Sequence, residues 1–147
     1  MKICVDTTVL LDILKDEFRS FQDKLYKALR KKEDLTVPSV VYGEMLPQFN
    51  GDTKLLDEFL KDHNIRIESL GRDSVAAAAK AWMNYLKRKE KVKCPQCGHI
   101  LNHKAHFLSD FYIAGFASTK CDAILTRDRG IYKKYFPSLV GYDGCLK

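Results

Sequence analysis

The sequence predicts an α/β fold built on a mainly parallel sheet, and three observations predict it. Short apolar runs alternate with helix-period segments along almost the whole chain, and parallel neighbours need such helical crossovers. The runs Ile3-Cys4-Val5 and Ala123-Ile124-Leu125 are apolar on both faces, as strands covered from both sides are. With 147 residues the chain fits one domain, residues 1–147, and buries enough surface to fold without a staple.

Each element has a local reason. Residues 2–5 form the first strand, ended by Asp6, and Thr7-Thr8 open a helix carrying Val9, Leu10, Leu11, Ile13 and Leu14. A second helix runs from about Phe18 to Arg30 with Phe21, Leu25, Ala28 and Leu29 on one face, and Lys31 to Asp34 is a polar break. Leu35-Thr36-Val37 is a strand stopped by Pro38; Ser39 is suited to cap the apolar helix of Val40, Val41, Met45, Leu46 and Phe49, in which Glu44 is embedded. After the turn Asn50-Gly51-Asp52, Leu55, Leu56, Phe59 and Leu60 mark an amphipathic helix whose end His63 caps. Ile65, Ile67 and Leu70 alternate with polar residues as a half-exposed strand does. Val75, Ala76, Ala79, Trp82, Met83 and Leu86 give a long helix over 72–89. Ser109 caps a helix with Asp110 in its first turn and Ile113, Ala114 and Ala117 inward; strand 123–126, a short helix 130–135 and a last strand around Leu139 follow. Phe18, Phe21 and Trp82 fall on apolar helical faces and are expected in the core.

Composition narrows the function. Apolar residues are 46% and charged residues 30%, which excludes intrinsic disorder. No apolar run of membrane-spanning length occurs, and the acids near the N-terminus argue against a signal peptide, so no membrane is involved and a cytoplasmic location is expected. The net charge of +6 and a pI near 9.0 permit a polyanionic partner such as nucleic acid. No phosphate-binding Gly-rich loop and no nucleophile elbow is present.

Acids stand where a parallel sheet places its ligands, beyond the carboxyl ends of strands and at the point where strand order reverses. Asp6 follows the first apolar run and Asp128 the run ending at Leu125; Asp110 opens the helix before that second strand, and Glu44 lies in the helix after Leu35–Val37. Taken singly, each aspartate also fits a helix cap or a turn. Glu44, among Val40, Val41, Met45 and Leu46, has little polar face and needs a partner or a metal. Grouped carboxylates repel one another unless a hard cation such as Mg²⁺ or Mn²⁺ neutralises them, and such an ion activates water against a phosphodiester.

The ordered segments Asp6-Thr7-Thr8-Val9-Leu10-Leu11-Asp12, Ser39 to Glu44, Asp110 to Gly115 and Leu125 to Tyr132 resemble the signature of PIN-domain ribonucleases, most closely the toxin subunits of VapBC toxin–antitoxin pairs. The resemblance runs the length of the chain outside residues 89–107. It implies a PIN-like three-layer sandwich with a five-stranded, mainly parallel sheet. It also implies Mg²⁺ or Mn²⁺ held by Asp6, Glu44, Asp110 and Asp128, an RNA substrate cut endonucleolytically, an antitoxin partner and a homodimer. Thr126 matches a small hydroxyl residue beside the family's site. Thr8 stands where Asn is common, which removes no ligand but loosens the expected ordering of Asp6. Two other functions share the fold: a non-catalytic RNA-binding module, and an RNA-processing endonuclease of ribosome assembly.

Residues 89–107 form a polar, basic Cys/His insertion. Cys94-Pro95-Gln96-Cys97-Gly98-His99 has zinc-knuckle form: thiolates at i and i+3 chelate one ion, and Gly98 permits the tight turn that aims backbone N–H groups at sulfur. His103 and His106 complete a tetrahedral Zn²⁺ set, with His99 as the spare ligand and a redox dithiol as the competing reading. Zinc there would stiffen the entry to the Asp110 helix, and Lys91, Lys93 and Lys104 would reach RNA phosphates. Cys4 is expected in the core, and Cys121 and Cys145 as plain thiols.

Overall fold

The alternation of short apolar strands with helices leads the chain through repeated crossovers. The computed structural model describes residues 1–88, 92–101 and 108–147. Its elements are β1 (Lys2–Val5), α1 (Thr7–Lys15), α2 (Arg19–Arg30), β2 (Asp34–Pro38), α3 (Ser39–Met45), α4 (Thr53–Asp62), β3 (Ile65–Glu68), α5 (Arg72–Arg88), β4 (Val92–Lys93), β5 (Ile100–Leu101), α6 (Leu108–Lys120), β6 (Ala123–Leu125) and α7 (Gly130–Tyr135). The main sheet has the order β3-β2-β1-β6, and every pairing in it is parallel. Ile3, Cys4, Val5, Leu35, Val37 and Ala123 to Leu125 are buried to 1% exposure or less, as expected of strands covered on both faces.

The expected five strands are four among the described residues. The chain near Leu139 contributes only one parallel bridge, Gly141 beside Ile124, supported by the Ile124 N–H donating to Val140 O at 2.9 Å. Two turns pinch that stretch. The Leu139 N–H donates to Phe136 O across Pro137, and a 3-10 turn over Tyr142–Gly144 folds the tail back so tightly that a Cβ at Gly141 would stand 2.6 Å from Leu146 N. Too little extended backbone is left to pair as a strand.

The helix edges follow their local chemistry with two exchanges, at Ser39 and at Ser109, which is the second residue of α6 and not its cap. Asp6 and Asp52 cap α1 and α4 by accepting backbone N–H groups, and His63 terminates α4 with Nδ1 2.7 Å from Phe59 O. Ser39 is the first residue of α3, and Pro38 occupies the cap position without a side-chain bond. Ile113, Ala114 and Ala117 of α6 face inward as expected.

The long helix α5 presents a different face from the one its bulky apolar residues suggest. Ser74, Ala78, Ala81 and Tyr85 are buried, whereas Val75, Met83 and Leu86 are exposed. The reason is close packing. Gly115 of α6 approaches α5 until a Cβ there would lie 2.5 Å from Ser74 O and 2.9 Å from Ala78 Cβ, and Ser74 Oγ and Thr119 Oγ1 are 2.7 Å apart. Only small side chains fit the seam, which fixes the rotation of α5.

Candidate functional site

The strand order reverses at β1: β2 and β3 extend the sheet to one side, and β6 is added on the other. Val5 pairs with Leu125, so the segments leaving β1 and β6 emerge side by side with Asp6 on one and Asp128 on the other. Asp6 is buried at 2% exposure yet well satisfied. Its Oδ1 accepts the Thr7 N–H at 2.8 Å, and its Oδ2 accepts the hydroxyls of Thr8 at 3.1 Å and Thr126 at 2.7 Å. The Thr8 found where the family often has Asn therefore orders Asp6. Thr126 Oγ1 in turn accepts the Asp128 N–H at 3.0 Å, tying the two strand ends together. Burial pushes the Asp6 carboxyl up; the three hydrogen bonds oppose that rise, and the charge of Asp128 adds to it.

Glu44, half-buried on α3, faces the same crevice. Its carboxyl is pushed up to about 7, first by burial and then by the charges of Asp6 and Asp110, with partial relief from Thr7 and Ser109. Asp110 sits in the first turn of α6. Asp128 is half-buried, with Oδ1 accepting the Gly130 N–H at 3.1 Å. At the end of the sheet between α1, α3, α6 and α7, Asp6 thus lies in electrostatic range of Asp128 and Glu44, and Glu44 in range of Asp110. A family model provides an independent description of the chain: that of the PIN domain matches residues 3–137.

The chain belongs to the PIN-domain family.

Two solved structures share the fold of this PIN domain. One is VapBC2 from Rickettsia felis bound to a DNA fragment from their promoter, at 16% identity and a TM-score of 0.66, covering 95% of this chain and 96% of that one. The other is a toxin-antitoxin complex from Klebsiella pneumoniae, at 15% identity and a TM-score of 0.58, covering 94% and 95%. No curated protein gives a significant match. At these identities the likeness establishes the architecture alone.

The donor set of this PIN domain suits a hard divalent cation. Four carboxylates supply only oxygen, and among the described residues Glu44 Oε1 and the two neighbouring buried oxygens Thr7 Oγ1 and Tyr132 Oη have no hydrogen-bond partner. Among the described residues no group of three His, Cys, Asp or Glu side chains stands close enough to hold one metal ion. Mg²⁺ and Mn²⁺ bind through one or two carboxylates while keeping several waters. Sequence reasoning missed Tyr132. It is 1% exposed on α7 and is influenced by Asp6, Asp110 and Asp128, and burial holds its phenol well above the usual range, so it remains a proton donor. Its sequence signal is its place at the end of the segment Leu125 to Tyr132, four residues after Asp128.

Glu44 makes the stability of the metal-free PIN domain depend on pH. The folded chain keeps this proton to about pH 7, the unfolded chain only to about 4.5. The stabilisation from this group is therefore complete below the lower value and lost as pH rises through the higher one. The melting temperature in a chelator is expected to fall between about pH 5 and 8, and Glu44→Gln is expected to flatten that slope. Equal slopes for the two proteins in thermal melts would contradict the placement of Glu44.

The Cys/His segment forms a small antiparallel hairpin, β4 with β5. The Cys94 N–H donates to His99 O at 2.7 Å, the Gly98 N–H donates to Cys94 O at 2.9 Å, and Gly98 takes φ 72° as the tight turn requires. The backbone N–H groups of Cys97 and Gln96, then the Cys97 thiol, hold the Cys94 thiol below its usual range. Cys94, Cys97 and His99 do not assemble a three-donor group. His103 and His106, together with Lys91 and Lys104, lie outside the described residues. Cys4 is core as expected, and Cys145 is buried with its thiol donating to Ile124 O at 3.2 Å.

Proposed function

We propose that this PIN domain is a metal-dependent endoribonuclease and the toxin of a toxin–antitoxin pair. The observation that carries the reading is the convergence of Asp6 and Asp128 at the β1/β6 reversal with Glu44 opposite, its proton retained to about pH 7 by burial and then by the charges of Asp6 and Asp110. Asp6, Glu44, Asp110 and Asp128 are the residues that would hold Mg²⁺ or Mn²⁺, and the bound ion supplies an activated water for phosphodiester hydrolysis. The chain's own part is orientation. Thr8 and Thr126 fix the Asp6 carboxylate, the Thr126–Asp128 link fixes the second strand end, and Glu44 would have to ionise to serve as a ligand. The basic balance of the chain favours a polyanionic substrate such as RNA.

An antitoxin partner is supported by the fold shared with the VapBC2 and Klebsiella complexes. Such a partner is expected to co-purify with the chain and to silence it; a homodimer in its absence is read by size-exclusion with light scattering. Among the described residues no helix is long and apolar enough to cross a membrane; a cytoplasmic location is part of the proposal. The test of the central function is cleavage of single-stranded RNA by purified chain in Mn²⁺, with none in a chelator.

The depressed Cys94 thiol supports a structural Zn²⁺ on Cys94 and Cys97, with His103 and His106 as the remaining ligands. Replacing Cys94 and Cys97 together by Ser is expected to abolish zinc content and lower the melting temperature by several degrees. Unchanged metal analysis and melting would remove the zinc clip from the account.

A further inference from the structure

Arg127 lies between Thr126 and Asp128, the two residues that tie β6 to the acidic crevice, and its surroundings are elaborate. Its backbone N–H donates to Thr8 Oγ1 at 3.2 Å. Its Nε donates to both carboxylate oxygens of Asp12, at 3.3 and 3.1 Å. Its guanidinium carbon lies 3.9 Å from the centre of the Phe18 ring. Phe18 was expected in the core; instead it is 52% exposed, and its backbone takes the left-handed φ of 48°. A bulky residue there costs on the order of 1–2 kcal/mol. Asp16 just before it is left-handed as well, at φ 51°. The α1–α2 connection thus holds a strained aromatic ring out of the core and against this guanidinium.

Neutralising Asp12 does not account for the arrangement. Asp12 is buried at 1% exposure, and its charge needs a cation. A guanidinium recruited for that alone meets a carboxylate with two nitrogens in a fork. Here one nitrogen, Nε, serves both oxygens, and neither Nη has a partner among the described residues. The side chain is 34% exposed, so the fork is held flat by Phe18 and by Asp12 with its four remaining N–H donors unspent. An oxyanion of matching planar geometry is what such a fork binds best.

We propose that Arg127 grips a backbone phosphate of the RNA at the rim of the acidic crevice, with Asp12 and Phe18 as the residues that hold its guanidinium in place. This rests on the RNA-cleaving reading above. The attraction offsets the repulsion that the four acids exert on an incoming phosphate, and it acts next to Asp128, where the phosphodiester must lie.

The test measures binding of a labelled single-stranded RNA by anisotropy over about 50–200 mM salt, on an Asp6→Asn background that leaves the RNA uncut. Asp12→Asn with Arg127→Gln removes one charge of each sign, so net charge is unchanged and only the local contact is lost. The double replacement is expected to weaken binding about tenfold and to lower the salt slope by about 0.7. Arg127→Lys keeps the charge that Asp12 needs and loses the fork; it is expected to bind a few-fold more weakly at an unchanged melting temperature, which reads the contact even where the double variant folds poorly. Equal affinity and slope in the parent, the double variant and Arg127→Lys would overturn the proposal and leave Arg127 as the counter-ion of Asp12, with the nuclease reading intact. A parent chain that binds no RNA at any salt would overturn both.

Discussion

Asp6→Asn is expected to abolish RNA cleavage, by about 10³-fold or more, while the metal-free protein melts at the same temperature or higher. The two effects have one origin. Asn keeps the capping acceptor for the Thr7 N–H, so α1 loses little. The substitution removes a buried charge that burial already disfavours and that repels Glu44 and Asp128. The Thr8 and Thr126 hydroxyls that now donate to Oδ2 are free to turn and accept from the new amide. The anionic oxygen a divalent ion needs is gone. The checks are Mn²⁺ calorimetry, RNA cleavage and a thermal melt on one preparation. A variant that loses stability together with activity would make Asp6 a folding residue.

Gly115→Val is expected to be the most damaging change away from the crevice. Even an Ala Cβ at 115 would meet Ser74 O at 2.5 Å and Ala78 N at 3.0 Å, and these are backbone atoms of α5 that no rotamer change can move. Overpacking of this kind costs about 3 kcal/mol or more and outweighs the roughly 1 kcal/mol of helix propensity that glycine forgoes. For a chain of this size that lowers the melting temperature by roughly 6–12 °C. Asp110 is carried by the same helix, so a displaced α6 is expected to weaken metal binding as well. Gly43→Ala is the contrast: a Cβ there meets nothing within 4 Å, and the change is expected to be neutral or mildly stabilising. Circular dichroism melts of both variants check the seam, and a tolerated Gly115→Val would contradict it.

Much of this was legible because its signals are local. Strands buried on both faces show as continuous apolar runs, and an acid that ends such a run in a parallel sheet is placed at its carboxyl edge before any contact is known; Asp6 and Asp128 are of that kind. Glu44 was legible as a charge without a polar face, and its proton is raised accordingly. What was not legible depends on contacts between distant segments. The buried face of α5 is chosen by a glycine on α6, so the stripe with the larger side chains lies outside. Phe18 reads as core by helical spacing and is drawn out by Arg127, more than a hundred positions later. The last strand was lost to turns at both of its ends. Thr8 looked like a loosened position and became a hydrogen-bond donor to Asp6 once the β6 end closed over it.

The most direct measurement is the time course of a single-stranded RNA incubated with purified wild-type chain in Mn²⁺, in Mg²⁺ and in a chelator. The account predicts internal cuts with either metal and none in the chelator. RNA that is bound yet stays whole in both metals would contradict the account and make the chain a binding module on a nuclease fold.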